Sequence, residues 1–254
     1  MRAVSCLSPG LPASLFEAFA RVLGADVWFQ EHASGPEVGD DPFADGRADI
    51  GWICSTSFAD QSWAAGPGVR LLGVAWVPDD PDADGRPVYF GDLVVPAGSP
   101  IRGVADLAGR RVGCNDPVSL SGHHALRFAA DDAGFDLDRA DLVFTGGHQR
   151  SMDALVAGTI DAAVVDSVSR NRRARVDPAV ASFDRVARFG PWPVQPLVVR
   201  ADLDDHLVDD LRRRLLGARD DPGVRAALTD AGLLDLVAVD GSIYDLVGAR
   251  LAAT

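Results

Sequence analysis

The stretch Asn115-Asp-Pro-Val-Ser-Leu-Ser-Gly-His-His124 holds the densest set of groups able to do chemistry in this chain. It follows an apolar run, Arg111–Cys114, and leads into a run of helical character, Ser121–Ala133, closed by Gly134. The N-terminus of a helix offers unpaired N–H groups and the positive end of a dipole. Ser119 and Ser121 add hydroxyl donors, and Gly122 lets backbone approach a ligand closely. Together these groups would cradle an oxyanion. The plainer reading, in which Ser119 or Ser121 only caps the helix, fits the same residues.

His148 stands just past a second apolar run, beside Gly146-Gly147, where a ligand-facing side chain is expected. His123 and His124 are neighbours on a helix and point about 100° apart, so at most one of them faces a ligand. His32 and His206 read as surface residues. Cys6, Cys54 and Cys114 fall at strand ends. A free cysteine there behaves as a small hydrophobe. The sharper alternative joins one or two of them with His148 or His123 in a metal or nucleophile site. None has sequence-local ligand spacing, so neither a metal nor a cofactor is expected. An odd count with no CxxC pair is no disulfide framework.

The formal net charge of −13 argues against nucleic acid, whose phosphates need a basic footprint. All 24 basic residues are arginine. Without lysine there is no Schiff base and no P-loop. No apolar run approaches the roughly 20 residues of a membrane span. The first residues lack a charged segment followed by an apolar one. The expectation is therefore a cytoplasmic protein as the sequence stands, and an extracytoplasmic one if a leader has been removed.

Those groups must be positioned by alternating strands and helices. Ala3–Leu7 reads as a buried strand ending in the turn Ser8-Pro9-Gly10. Ala13–Leu23 places Leu15, Phe16, Phe19, Val22 and Leu23 at helical spacing before Gly24. Strands are expected at Val27–Gln30, Asp49–Cys54, Val69–Val77, Leu93–Val95, Arg111–Cys114, Leu142–Phe144, Ala162–Val165, Val186–Phe189 and Pro196–Arg200. Helices are expected at Val104–Leu107 and Ser151–Ala157. The remaining chain reads as mostly helical, with Leu207, Leu211 and Leu215 on one face. Such βα alternation, interrupted once, predicts an α/β protein with two lobes of largely parallel sheet. With 254 residues and a hydrophobic share of 47%, each lobe can bury its own core.

The run Asp106-Leu-Ala-Gly-Arg-Arg-Val-Gly-Cys-Asn-Asp-Pro-Val-Ser-Leu-Ser-Gly122 resembles the phosphate/phosphonate (phosphite) solute-binding family of ABC importers. That family shows Asp-Leu-x-Gly-(Lys/Arg), a strand, then Asp-Pro-x-Ser-Thr-Ser-Gly. Phe144-Thr-Gly-Gly-His148 is similar to its Gly-Ser-His stretch. Gly158-Thr-Ile-Asp-Ala-Ala-Val-Val-Asp166 is similar to its Gly-x-(Val/Ile)-Asp-Ala-Ala-x-x-Asp run. Gln195-Pro-Leu-Val-Val-Arg-Ala-Asp-Leu203, Gly46-Arg-Ala-Asp-Ile-Gly-Trp52 and Tyr89 to Pro100 match further elements in order. The likeness spans about Asp45 to Leu203. Leu120 stands where the family has Thr, His123 where an aromatic residue is common, and Gly91-Asp92 where a Ser-apolar pair is typical.

The resemblance implies a two-lobed fold of the type II periplasmic-binding-protein kind, with a cleft between the lobes. Lobe 1 would be residues 1–92 plus 196–254, and lobe 2 residues 93–195. Ser119, Ser121 and Gly122 would bind the oxyanion, with His123 beside them and His148 and Tyr89 donating further hydrogen bonds. Asp166 would accept from a protonated ligand oxygen or an amine, and Cys54 and Ser55 would face the ligand from lobe 1. The implied function is binding a small phosphonate- or phosphate-like anion by closing the lobes on it, with an ABC-transporter permease as partner. The alternative is a cytoplasmic enzyme or ligand sensor on the same fold, with Asp166 and His148 or a cysteine as its acid/base pair.

Overall fold

The computed structural model describes residues 1–8, 10–30 and 34–253. His32 and Pro9, the latter in the expected first turn, lie outside the described residues. In chain order the elements begin with β1 (Arg2–Ser5), α1 (Ala13–Leu23), β2 (Asp26–Phe29), β3 (Ile50–Trp52), α2 (Ser55–Ala59), β4 (Val69–Leu71), β5 (Val74–Pro78) and β6 (Val88–Val95). Next come β7 (Arg111–Cys114), a π-helical turn (Leu120–His124), α3 (Ala125–Asp132), β8 (Asp141–Phe144), α4 (His148–Val156), β9 (Ala162–Asp166), α5 (Ser167–Ala174) and α6 (Pro178–Ala181). The chain ends with β10 (Asp184–Pro193), β11 (Leu197–Arg200), α7 (Asp205–Gly217), α8 (Pro222–Ala231), β12 (Leu233–Ala238) and α9 (Asp245–Ala252).

These elements form two compact units, Met1–Val88 with Pro193–Thr254, and Tyr89–Trp192. The first holds a sheet of order β2-β1-β3-β11-β4 and a two-stranded sheet β12-β5; the second holds β10-β6-β9-β7-β8. The parallel pairing expected from βα alternation is present in β1–β2, β1–β3, β7–β8 and β7–β9. β11 and β6, which follow the two crossings of the chain, run antiparallel to β3 and β9. Each five-stranded sheet is therefore mixed around a parallel core.

Local chemistry explains most boundaries. α1 buries Leu15, Phe16, Phe19 and Leu23, leaves Val22 half-buried, and stops at Gly24, whose φ of +67° is left-handed. Phe16 and Phe19 pack on Trp52 with ring centroids 5.3 and 6.2 Å away. Several aspartates start helices: Asp166, Asp177, Asp204 and Asp221 each accept a backbone N–H of the helix they begin. In the second unit Val94, Met152, Leu155, Ile160, Val165 and Val180 share one core.

Several expectations are corrected. Val69–Val77 is not one strand: Gly73, at φ +82°, turns the chain so that β4 and β5 join different sheets. The buried stripe of α7 is Val208, Leu211 and Leu215, while Leu207 is exposed. The Asp204 cap starts this helix so that the core-facing series begins at Val208. The tail is mostly helical as expected, and within it β12 pairs antiparallel with β5 and carries an irregularity between Leu233 and Asp235. The expected helix from Ser121 begins as a π-helical turn and becomes α-helical only at Ala125.

Candidate functional site

β7 ends at Cys114, and the five residues after it build the floor of a turn. Asp116 accepts the Val118 N–H through Oδ1 (3.0 Å) and the Asn115 amide through Oδ2 (3.0 Å). Ser119 then caps the π-helical turn, its Oγ accepting the Gly122 N–H at 3.2 Å, and its carbonyl accepts the His124 N–H at 3.0 Å. π-helical turns recur at functional sites because they redirect side chains and free backbone groups. The capping reading of the sequence thus applies to Ser119. Ser119 uses a lone pair to cap and keeps its O–H to donate. Ser121 is buried, and among the described residues neither its hydroxyl nor its N–H has a hydrogen-bond partner.

Gly122 and Gly91 are glycines for steric reasons. A Cβ on Gly122 would overlap Asn115 Oδ1 and come within 2.9 Å of His148 Cε1. A Cβ on Gly91, in β6, would lie 2.5 Å from the Ser121 carbonyl oxygen. So Gly91, where the resembled family has another residue, is what lets β6 approach the turn.

His148 opens α4. Its Nδ1 accepts the Asp166 N–H at 3.2 Å, so the neutral ring carries its proton on Nε2. Burial pushes its pKa down to about 4 against the opposing pull of Asp116, so near neutral pH His148 is an uncharged ring with an Nε2–H able to donate. Asp166 in turn caps α5, its Oδ1 accepting the Ser169 N–H at 2.8 Å.

The structure brings Ser119, Ser121, Gly122, His123, His148 and Asp166 together in the second unit, around the C-terminal ends of β7 and β9. This is where ligands sit in open α/β sheets. Within that group the His123 ring hydrogen-bonds the Pro117 carbonyl through Nδ1 (2.7 Å) and packs edge-on to Phe144 (5.3 Å). The neighbouring His124 has a buried Nδ1 with no partner among the described residues; burial, then His123 and Arg127, lowers its pKa to about 4. Tyr89, in β6 of the same unit, is fully buried. Cys54 and Ser55 lie in the first unit at the start of α2, where Ser55 Oγ donates to the Pro193 carbonyl (3.2 Å) and Thr56 Oγ1 donates to Cys54 Sγ (3.1 Å).

All three cysteines are buried thiols, with no disulfide among the described residues. Cys6 packs with Phe43, Ile53 and Trp63. Burial, helped by Asp116, pushes the Cys114 thiol up to about 12, which suppresses the thiolate a nucleophile needs. No group of three or more metal-ligating side chains occurs among the described residues. His206 is exposed, as its sequence context suggests.

Two features of this unit were not legible as functional residues. Asn115 walls the turn, and the only sequence signal for it is its place one residue past a strand. Asp92, fully buried, binds Arg188 through two bonds (2.7 and 3.0 Å) and Arg170 at 3.5 Å. The Arg188 guanidinium also lies 4.4 Å from the Phe90 ring centroid. Asp92, unusual for the resembled family, is thereby explained as the anchor of an ion cluster.

Comparison with solved structures agrees with this architecture. A binding-protein component of an ABC phosphonate transporter from Pseudomonas aeruginosa superposes with a TM-score of 0.79 at 16% identity, over 99% of this chain and 85% of that one. PhnD1 from Prochlorococcus marinus, in complex with methylphosphonate, gives 0.77 at 13% identity, over 100% and 97%. The alkanesulfonate-binding protein SsuA from Xanthomonas axonopodis pv. citri, bound to MOPS, gives 0.61 at 16% identity, over 98% and 83%. The fold is thus the two-lobed periplasmic-binding-protein fold. No helix among the described residues is long and apolar enough to cross a membrane. The family described as "ABC transporter, phosphonate, periplasmic substrate-binding protein" matches residues 12–244, and this chain belongs to it, as a solute-binding protein.

Proposed function

We propose that this protein binds a phosphonate or a closely related phosphorus oxyanion at the Ser119–Gly122 turn for delivery to an ABC-transporter permease. The observation that carries the reading is the buried Ser121, whose hydroxyl and N–H lack partners among the described residues. The Ser119 O–H and the His148 Nε2–H are the further donors. Such a site holds an anion by dipoles rather than by a counter-charge. Asp166, whose N–H orients His148, accepts from a protonated ligand oxygen or an amine. A phosphonate monoanion still carries a P–OH to offer, and a sulfonate has none, so Asp166 favours phosphorus over sulfur. In this reading Tyr89 adds a donor and His123 shapes the turn.

Calorimetric titration with methylphosphonate, phosphate, phosphite and methanesulfonate tests this. The expected result is one-to-one binding of a phosphorus oxyanion at micromolar Kd or tighter, with the sulfonate weaker by about tenfold or more. Absence of heat and of any thermal shift with all four would overturn the reading. The reading places the protein where its family works, outside the cytoplasmic membrane. Fractionation that recovers the native protein wholly with cytoplasmic markers would instead favour the sensor or enzyme alternative.

A further inference from the structure

A second concave site lies wholly within the first unit, where Gly73 turns the chain from β4 to β5. It is an open pocket of about 430 Å³ with Leu72 and Val208 among its lining residues. Both of these side chains are buried and give it an apolar floor. The volume falls in the range of small-molecule sites.

Its charged groups are unusual for this molecule. Arg212, on α7, is half-buried, yet among the described residues it makes no hydrogen bond or ion pair. Six other half-buried arginines behave differently: Arg47, Arg70, Arg170, Arg173, Arg188 and Arg200 each hold an aspartate. Even Arg213 and Arg214, next on the same helix, both bind Asp210 (3.1 and 2.5 Å). Asp209 lines the same pocket three residues before Arg212, a spacing at which opposite charges readily pair. Here they do not. The Arg212 guanidinium lies back over Gly73, where a Cβ would fall 3.2 Å from Nε and 3.3 Å from Cζ. Asp209 is likewise without a partner among the described residues.

The pocket therefore presents one unpaired cation, one unpaired carboxylate and an apolar floor between strand and helix. Asp240, at its rim, holds the Ser242 N–H and hydroxyl, contacts that keep it ionised and make the pocket hostile to a dianion. The matching ligand is a zwitterion with a hydrocarbon body. We propose that this pocket binds a free aliphatic α-amino acid, its carboxylate on Arg212, its ammonium toward Asp209 and its side chain on Leu72 and Val208. The site is separate from the anion turn and does not depend on the phosphonate reading.

The test is an amide NMR titration of the full chain with L-leucine, alongside 4-methylpentanoate, which lacks the amine, and isoamylamine, which lacks the carboxylate. Leucine is expected to give saturable shifts at Gly73, Val239 and Gly241 with a Kd of about 1 mM or tighter, and each half-ligand to bind about tenfold more weakly. Arg212→Gln and Asp209→Asn should each weaken leucine about tenfold while methylphosphonate binding is unchanged. The pocket shifts should persist in Gly122→Ala, which closes the anion turn. No saturable shift at these amides by roughly 10 mM leucine, or equal binding by wild type and Arg212→Gln, overturns the proposal.

Discussion

Both units carry a helical segment that follows a parallel strand and has hydroxyl side chains at its start, yet the two starts are chemically opposite. At Cys54–Ala59 the first two hydroxyl hydrogens are committed to the protein: Ser55 donates to the Pro193 carbonyl and Thr56 to the Cys54 sulfur. At Ser119–His124 the cap is made with an oxygen lone pair, and the Ser121 hydroxyl is left unpaired. Residue type alone does not separate them. A serine whose hydrogen is already donated is structural, and one that has kept it is available to an anion. The widened π-helical turn, in which the His124 N–H reaches back to Ser119, produces the second state.

The largest expected effect lies beside the turn rather than in it. Asp92→Ala leaves the Arg188 and Arg170 guanidiniums without their buried carboxylate and should cost about 3–5 kcal/mol in denaturant unfolding. A loss below about 1 kcal/mol would show that the cluster is not what stiffens this unit. Next comes Gly122→Ala, whose methyl overlaps Asn115 and crowds His148. About 1–3 kcal/mol of stability should go, together with on the order of a hundredfold in methylphosphonate affinity. The sharpest contrast is smaller. Ser121→Ala should weaken methylphosphonate about tenfold with stability within ~0.5 kcal/mol, because no protein hydrogen bond is lost. Ser55→Ala should cost about 0.5–1.5 kcal/mol of stability, since its bond to the Pro193 carbonyl goes. The reverse pattern, with stability loss at Ser121 and none at Ser55, would break the comparison.

The smallest effect is on pH dependence. The His148 pKa falls from 6.5 to about 4 on folding, so between those values the unfolded chain binds more protons than the folded one. Stability is then fully present above pH 6.5 and declines as pH falls toward 4. His124 acts in the same window. Thermal unfolding across this range should show the decline, flattened in part by His148→Gln; an unchanged slope in that variant would remove His148 as a contributor.

Much of this was legible in the sequence because strand, loop and helix followed one another with clear punctuation. Gly24 ended α1, and Asp116, Ser119 and Gly122 marked the turn. What was not legible depended on distant partners. β12 shows no alternation of its own and is a strand because β5 lies beside it. Gly73 reads as a residue within one apolar run, and only the structure shows it dividing two sheets. Asp92 looks like an intrusion in a buried strand until Arg188, 96 positions later, is placed against it. Likewise, the availability of the Ser121 hydroxyl depends on partners no local pattern encodes.

Methylphosphonate titration followed by amide NMR tests the grip at the turn most directly. Saturable shifts that are largest at Ser121, Gly122 and His123, with a matching change at the His148 Nε2–H, are the predicted result. Saturation with those four groups unmoved would contradict it.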